Sequence, residues 1–464
     1  MKRIILYAFA VLCLICSSCG DQSRRRGPQG GNEETSQKTD TVKPLTVNPK
    51  VNIYIENSGS MDGFVNGITD FKSTIGKLLA KLKYYYDEDN VQIYFIRNDK
   101  ANKQNPKETI NVVKACEANI SDFATAIDLR WKEDKLYRGH NTNLNNIFKE
   151  LLNRTDENTI TILFSDCIYS IGKGGVVDLL NNEQWTTYDA FLTHSKKNNG
   201  SLATTIIKMK SGFKGKYYPY TGDRNAFQYN GELPYYICAL ANQEIIADFN
   251  RKIKLGKGEF DGYDNKYILA HSVSANLYYS VLLATENKGR FKPNRQYSSQ
   301  TYVHGIEDID LKTLKRSGEP FAFAIALNME GIDVEEDYLL DTRNYTLTED
   351  NFRVVKVEKV DKGNINANDW QKIKDGTPTH ILVLEAKDMH WTKVELGIAL
   401  KKQVPGWIEE CNILDDTKPS NLEGGKSFGL KFWIHGISEA YEEIYPEDKN
   451  YYQVKIYINK NKTK

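Results

Sequence analysis

From Ile55 to Gly63 the chain reads Ile55-Glu56-Asn57-Ser58-Gly59-Ser60-Met61-Asp62-Gly63, with two serine hydroxyls set between two carboxylates. Donors that are all oxygen suit a hard cation such as Mg²⁺, which takes near-octahedral oxygen ligation and keeps some of its waters. Two later segments carry donors of the same kind, His140-Asn141-Thr142-Asn143-Leu144 and Ser165-Asp166. Other chemistry is thinly represented. Ser60 is not in a Gly-x-Ser-x-Gly elbow, and no Gly-x-x-x-x-Gly-Lys-Ser/Thr loop exists. Gly172-Lys173-Gly174-Gly175 reads as a plain loop, and the seven histidines show no H-E-x-x-H spacing. Cys167, beside Asp166, reads as a small buried residue at a strand end rather than a reactive thiol. The carboxylate pairs Glu409-Glu410 and Asp415-Asp416 are the only hints of hydrolysis, and adjacent pairs usually face solvent. Trp391, Trp407 and Trp433 would make a sugar-stacking platform only outside the core, where strand tryptophans usually sit.

The elements that must position these residues follow from periodicity. Val51 to Ile55 reads as a strand, and the apolar residues Ile68, Phe71, Ile75, Leu78, Leu79 and Leu82 then recur at helical spacing. Val91 to Ile96 and Thr109 to Val113 follow as strands, and Leu144 to Leu152 as an amphipathic helix. Thr159 to Phe164 is apolar enough to be buried on both faces. A helix over Trp185 to His194, strands at Ala203–Ile207 and Tyr235–Leu240, and a helix near Ile245 to Ile253 complete the first half. This alternation predicts an α/β domain over 49–255, doubly wound around a mainly parallel sheet. From 256 to 464 the pattern becomes strand-like, including Phe321–Leu327, Phe352–Val360, Ile381–Leu384, Val394–Leu400, Leu430–Ile434 and Tyr452–Ile458. Only Ser438 to Ile444 reads as a short helix, so a β-rich, sandwich-like region is expected.

In this setting the first segment leaves the C-terminal end of a strand, where open α/β sheets bind ligands. Glu56-Asn57-Ser58-Gly59-Ser60-Met61 resembles the Asp-x-Ser-Gly-Ser-Met sequence of von Willebrand factor A domains. There it begins a metal-ion-dependent adhesion site, completed by a threonine and an aspartate on later loops. Thr142, ahead of a helix, and Asp166, after the buried strand, match those places. The resemblance implies Ser58, Ser60 and Thr142 as hydroxyl ligands and Asp166 as a carboxylate ligand of Mg²⁺, Mn²⁺ or Ca²⁺. An underneutralised ion of this kind would take its last ligand from a protein partner's carboxylate. Glu56 departs from the pattern, standing where the family has aspartate. Its extra methylene carries the carboxylate about 1.5 Å further, within reach of the ion if it replaces a bridging water.

The N-terminus adds a location. Lys2 and Arg3 precede an apolar run from Ile4 to Ile15, too short for a permanent span but suited to a signal-peptide core. Ser17-Ser18-Cys19 resembles a bacterial lipobox, with 1–18 as signal peptide and Cys19 as lipid anchor; Cys16 stands where that motif prefers leucine. Residues 19–48 hold little to bury and read as a flexible tether. Cys116, Cys167, Cys238 and Cys411 are scattered, with no C-x-x-C pair, which suggests neither a zinc knot nor a redox pair. A net charge of +1 excludes a nucleic-acid binder that works by bulk electrostatics. The expectation is a non-enzymatic, membrane-tethered lipoprotein of the cell envelope that binds a protein partner through a cation. The alternatives are an envelope hydrolase with its site in the C-terminal half, and a scaffold whose A-type domain has lost its metal.

Overall fold

The computed structural model describes residues 48–100, 103, 109–116, 120–139, 143–171, 174–197, 201–271, 277–310, 312, 314, 316 and 318–461. Cys19, the tether and Thr142 lie outside them. Residues 45–464 form one compact unit, a mixed α/β structure.

Its largest sheet has seven strands: β1 (Lys50–Glu56), β2 (Val91–Asp99), β3 (Thr109–Lys114), β4 (Thr159–Ser165), β5 (Leu202–Tyr217), β6 (Phe227–Asn242) and β7 (Tyr263–Leu269). They lie in the order β3-β2-β1-β4-β6-β5-β7. β1 is parallel to β2 and to β4, but β2–β3, β4–β6, β5–β6 and β5–β7 are antiparallel. The sheet is therefore mixed, not mainly parallel. The reason is the hairpin of β5 and β6, each 16 residues long. Parallel neighbours need a long crossover, whereas the short 218–226 connection turns the chain straight back. In the sequence only the inner ends of these strands are apolar enough to announce themselves.

Alternation along the strands divides two cores. Val51, Ile53 and Ile55 of β1 face one core with Phe71, Ile75 and Leu78 of α2 (Asp70–Tyr85), Phe123 and Trp131 of α3 (Ile120–Lys135) and Phe249 of α6 (Gln243–Ile253). Tyr54 faces the other, with Phe148 of α4 (Leu144–Arg154) and Phe191 of α5 (Val176–Lys197). A one-turn α1 (Asp62–Val65) precedes α2.

The second core is finished from the far end of the chain. Leu430–Ile434, expected as a strand, is the start of a helix, Leu430–Ile444, that lies along α5. Leu430, Trp433, Ile434, Ile437, Ala440 and Tyr441 recur at helical spacing and are all buried. A five-residue apolar window cannot distinguish that period from a buried strand. Gly436 sets the approach: a Cβ there would come within 2.6 Å of the Gln184 carbonyl oxygen. The large sheet with its helices thus extends past position 255, through β7, and takes in part of the chain beyond 405.

The rest is β-rich, as expected. A five-stranded sheet that includes Lys393–Lys401 and Asn450–Asn459 shares one core with a four-stranded sheet built on Ala322–Leu327 and His380–Ala386. Their pairings are antiparallel except for Gly305–Glu307 against Asn450–Asn459. Among the described residues no helix is long and apolar enough to cross a membrane.

Candidate metal centre

Parallel pairing places the C-terminal ends of β1 and β4 side by side, with Ile55 opposite Phe164. The loops that leave them bring Ser58, Ser60 and Asp166 together. Ser58 Oγ and Ser60 Oγ lie 3.0 Å apart, and Ser60 hydrogen-bonds the Asp166 carboxylate. Burial pushes the Asp166 carboxyl above its usual range, and only neutral donors, the Ser60 hydroxyl and the Ile168 N–H, oppose that shift. Two hydroxyls and a desolvated carboxylate are hard oxygen donors of the kind Mg²⁺ takes, so these residues fit such an ion chemically.

Glu56 is buried and accepts a hydrogen bond from Ser165 Oγ at 2.5 Å. The same hydroxyl accepts from the Cys167 N–H at 2.8 Å. The longer side chain at position 56 therefore ties the end of β1 to the residue before Asp166. Cys167 is buried in a left-handed conformation with φ 51°. Burial and contact with Cys238 push its thiol well up, so it is not a reactive centre. Thr142 lies in the segment left undescribed just ahead of α4. Among the described residues no group of three or more His, Cys, Asp or Glu side chains is arranged to hold a metal.

The residue that reasoning from the sequence missed is Arg138. One of its guanidinium nitrogens donates to Asn57 Oδ1 (2.9 Å), the Ser58 carbonyl (2.8 Å) and Asp62 Oδ1 (2.8 Å). The other donates to Asp62 Oδ2 at 2.7 Å. Trp131 Nε1 and Lys135 Nζ also donate to Asp62, at 2.9 and 2.7 Å. Burial acts against the Asp62 carboxylate, but these donors outweigh it and hold it below its ordinary range. Asp62 thus serves the loop's framework. Asn57 Nδ2 in turn donates to Asp134, which pairs with the buried Arg97. A lone arginine before a loop has no spacing signature; only the apolar spacing of Phe123, Ile127 and Trp131 would have revealed α3.

Among the described residues the outward side is narrowly covered, with Ser60 partly exposed. The ring of Tyr218 crosses Gly59 closely enough that a Cβ there would lie 3.2 Å from it. Next to Ser60 and Asp166 only about 10 Å³ remains, bounded among others by Tyr217, Leu422 and Ser427. That is about the volume of one water. The covering segment is anchored by Asp416, fully buried, which accepts from Tyr217 Oη (2.8 Å) and the Tyr220 N–H (3.1 Å). Phe428 stacks on Tyr220 with centroids 4.6 Å apart. Asp415 and Asp416 therefore do not face one another as a pair: Asp416 bonds Tyr217 and Tyr220, and Asp415 bonds Thr417.

Comparison with known protein families, curated proteins and solved structures found no match. The likeness to A-type domains therefore rests on the motif residues themselves.

Proposed function

We propose that this protein is a non-enzymatic binding lipoprotein of the bacterial envelope, lipid-anchored at Cys19. Its mixed sheet carries a von Willebrand A-type cation site that serves a protein partner. What carries the reading is the meeting of Ser58, Ser60 and Asp166, drawn from motif positions more than a hundred residues apart. When bound, Mg²⁺, Mn²⁺ or Ca²⁺ would supply a positive charge that a partner's carboxylate can complete. Ser58, Ser60 and Asp166 would hold it, and Thr142 completes the set by resemblance. Glu56 acts through Ser165, and Arg138 keeps the loop in place.

A second reading draws on the closure over Ser60 and Asp166: a scaffold whose A-type domain binds no metal. One experiment separates the two. Thermal unfolding of the purified protein is followed in EDTA and then in millimolar Mg²⁺, Mn²⁺ or Ca²⁺, with Asp166→Ala as control. A ligand bound only by the folded state raises the midpoint. A rise that the variant loses supports the cation site. Identical midpoints in all conditions overturn it and leave the scaffold.

A further inference from the structure

A long trough runs along β7, the edge strand of the large sheet, far in sequence from the motif loop. Two cavities, of about 660 Å³ and 320 Å³, share Tyr267, Ile268 and Tyr451 and so neighbour each other along β7. The floor spans positions 265–270, about 17 Å of extended chain at the usual rise per residue. The opposite wall comes from the β-rich region and from the end of helix Leu430–Ile444. Clefts of a few hundred Å³ with aromatic walls and a few convergent polar groups are the usual form of a ligand site.

The walls combine flat rings with groups that bond hydroxyls. In the larger cavity Tyr445 is half-buried and held flat against His271, ring centroids 4.9 Å apart at 19°. Beside it Asp448 accepts from Lys402 Nζ at 2.5 Å and pairs with His271 Nδ1 at 3.0 Å. Lys402 also donates to the Ala270 carbonyl at 2.7 Å. In the smaller cavity Trp407, which also packs on the second core with Lys208 Nζ 6.0 Å from its ring centroid, lines the wall with the carboxylates Asp337 and Glu410. Charge is balanced along the trough, so neither a polyanion nor a polycation is selected. An added peptide strand is disfavoured because the edge carries Asp264 and Lys266. Both are held in ion pairs, with Lys208 and with Asp333, and charges of this kind discourage pairing at an edge. A sugar chain meets the pattern better, since its C–H faces lie on rings and its hydroxyl rim bonds carboxylates and ammonium groups.

We propose that this trough is a carbohydrate-binding groove, in which an oligosaccharide lies along β7 with its rings on Tyr445 and Trp407. It is independent of the cation site. The test uses the whole chain, titrated calorimetrically with cellohexaose, maltohexaose, chitohexaose and a hexagalacturonate; the last separates acidic from neutral sugars. At least one of the three neutral sugars should bind at millimolar concentration or below; binding of the hexagalacturonate alone would overturn the charge argument and the proposal with it. Tyr445→Ala and Trp407→Ala should each weaken neutral-sugar binding about tenfold, with circular dichroism unchanged. Tyr445→Phe keeps the ring and should bind as the wild type does. No binding by any of the four overturns the proposal. So does binding that the two alanine variants leave intact, or binding of an extended peptide along β7 in place of every sugar.

Discussion

The two flanks of the Ser58-Gly59-Ser60 turn are built on opposite principles. On the flank facing α3 every strong acceptor is matched: Asn57, the Ser58 carbonyl and Asp62 all take hydrogens from Arg138. On the flank facing β4 a buried carboxyl, Asp166, is supported among the described residues by neutral donors, Ser60 and the Ile168 N–H. The first flank is a clamp that fixes geometry. The second carries an unmet electrostatic demand, which is where a cation would gain most. Taking the partner away from a buried charge is costly, and a buried charge without a partner costs free energy until something neutralises it.

Arg138→Ala should break this contrast most severely. It leaves Asp62 with Trp131 and Lys135 but deprives the buried Asn57 Oδ1 and the Ser58 carbonyl of their Arg138 donor, and two such buried acceptors together cost about 4 kcal/mol. Urea denaturation would measure the loss, and any cation effect on the midpoint should go with it.

The next largest effect concerns the segment that closes the Asp166 flank. Burial raises the Asp416 carboxyl to about 6, with Tyr217 and Tyr220 opposing the rise. A folded-state value above the unfolded one favours the fold at low pH, and that advantage is lost as pH rises through about 6. The difference is about 3 kcal/mol. Denaturation midpoints of wild type should fall between pH 4 and 7, and Asp416→Asn should flatten that slope.

Asp62→Asn and Asp166→Asn should shift stability in opposite directions at neutral pH. The depressed Asp62 carboxyl stabilises the fold above the ordinary carboxylate range, and the contribution is lost as pH falls through its lower folded value. The raised Asp166 carboxyl favours the fold at low pH, and that favour is lost as pH rises through its folded value. In EDTA, Asp62→Asn should therefore lower the melting midpoint, and Asp166→Asn should raise it. If both shifts had the same sign, the two flanks would not differ as described. Lys135→Ala should matter least. Lys135 is half exposed and only seconds Arg138 on Asp62, so a change of about 0.5 kcal/mol or less is expected.

The parts of the site carried by strong periodicity were readable in advance. β1 and β4 are apolar runs with a hydroxyl or carboxylate at their ends, and α4 shows its face in Leu144, Ile147, Phe148 and Leu151. What escaped was set by contacts distant in sequence. Arg138 matters because α3 happens to end against the loop, and no local pattern encodes that. The outer ends of β5 and β6 do alternate, as Phe213-Lys214-Gly215-Lys216-Tyr217 and Phe227-Gln228-Tyr229-Asn230 show, but that period alone does not say that the two strands pair as a hairpin. Leu430–Ile434 looks like a strand until Ile437 and Tyr441 are read with it.

The helix Leu430–Ile444 has a bearing on how the molecule comes into being. Its Glu439 meets Gln184 across 255 positions of chain, and Trp433 fills a core that includes Tyr54, Phe148 and Phe191, made long before it. Contacts of such separation are slow to form. As the chain emerges, α5 must wait with its apolar face bare until nearly the last residues arrive. Truncation before position 430 would therefore not trim a spare domain. It would leave the first half unfinished.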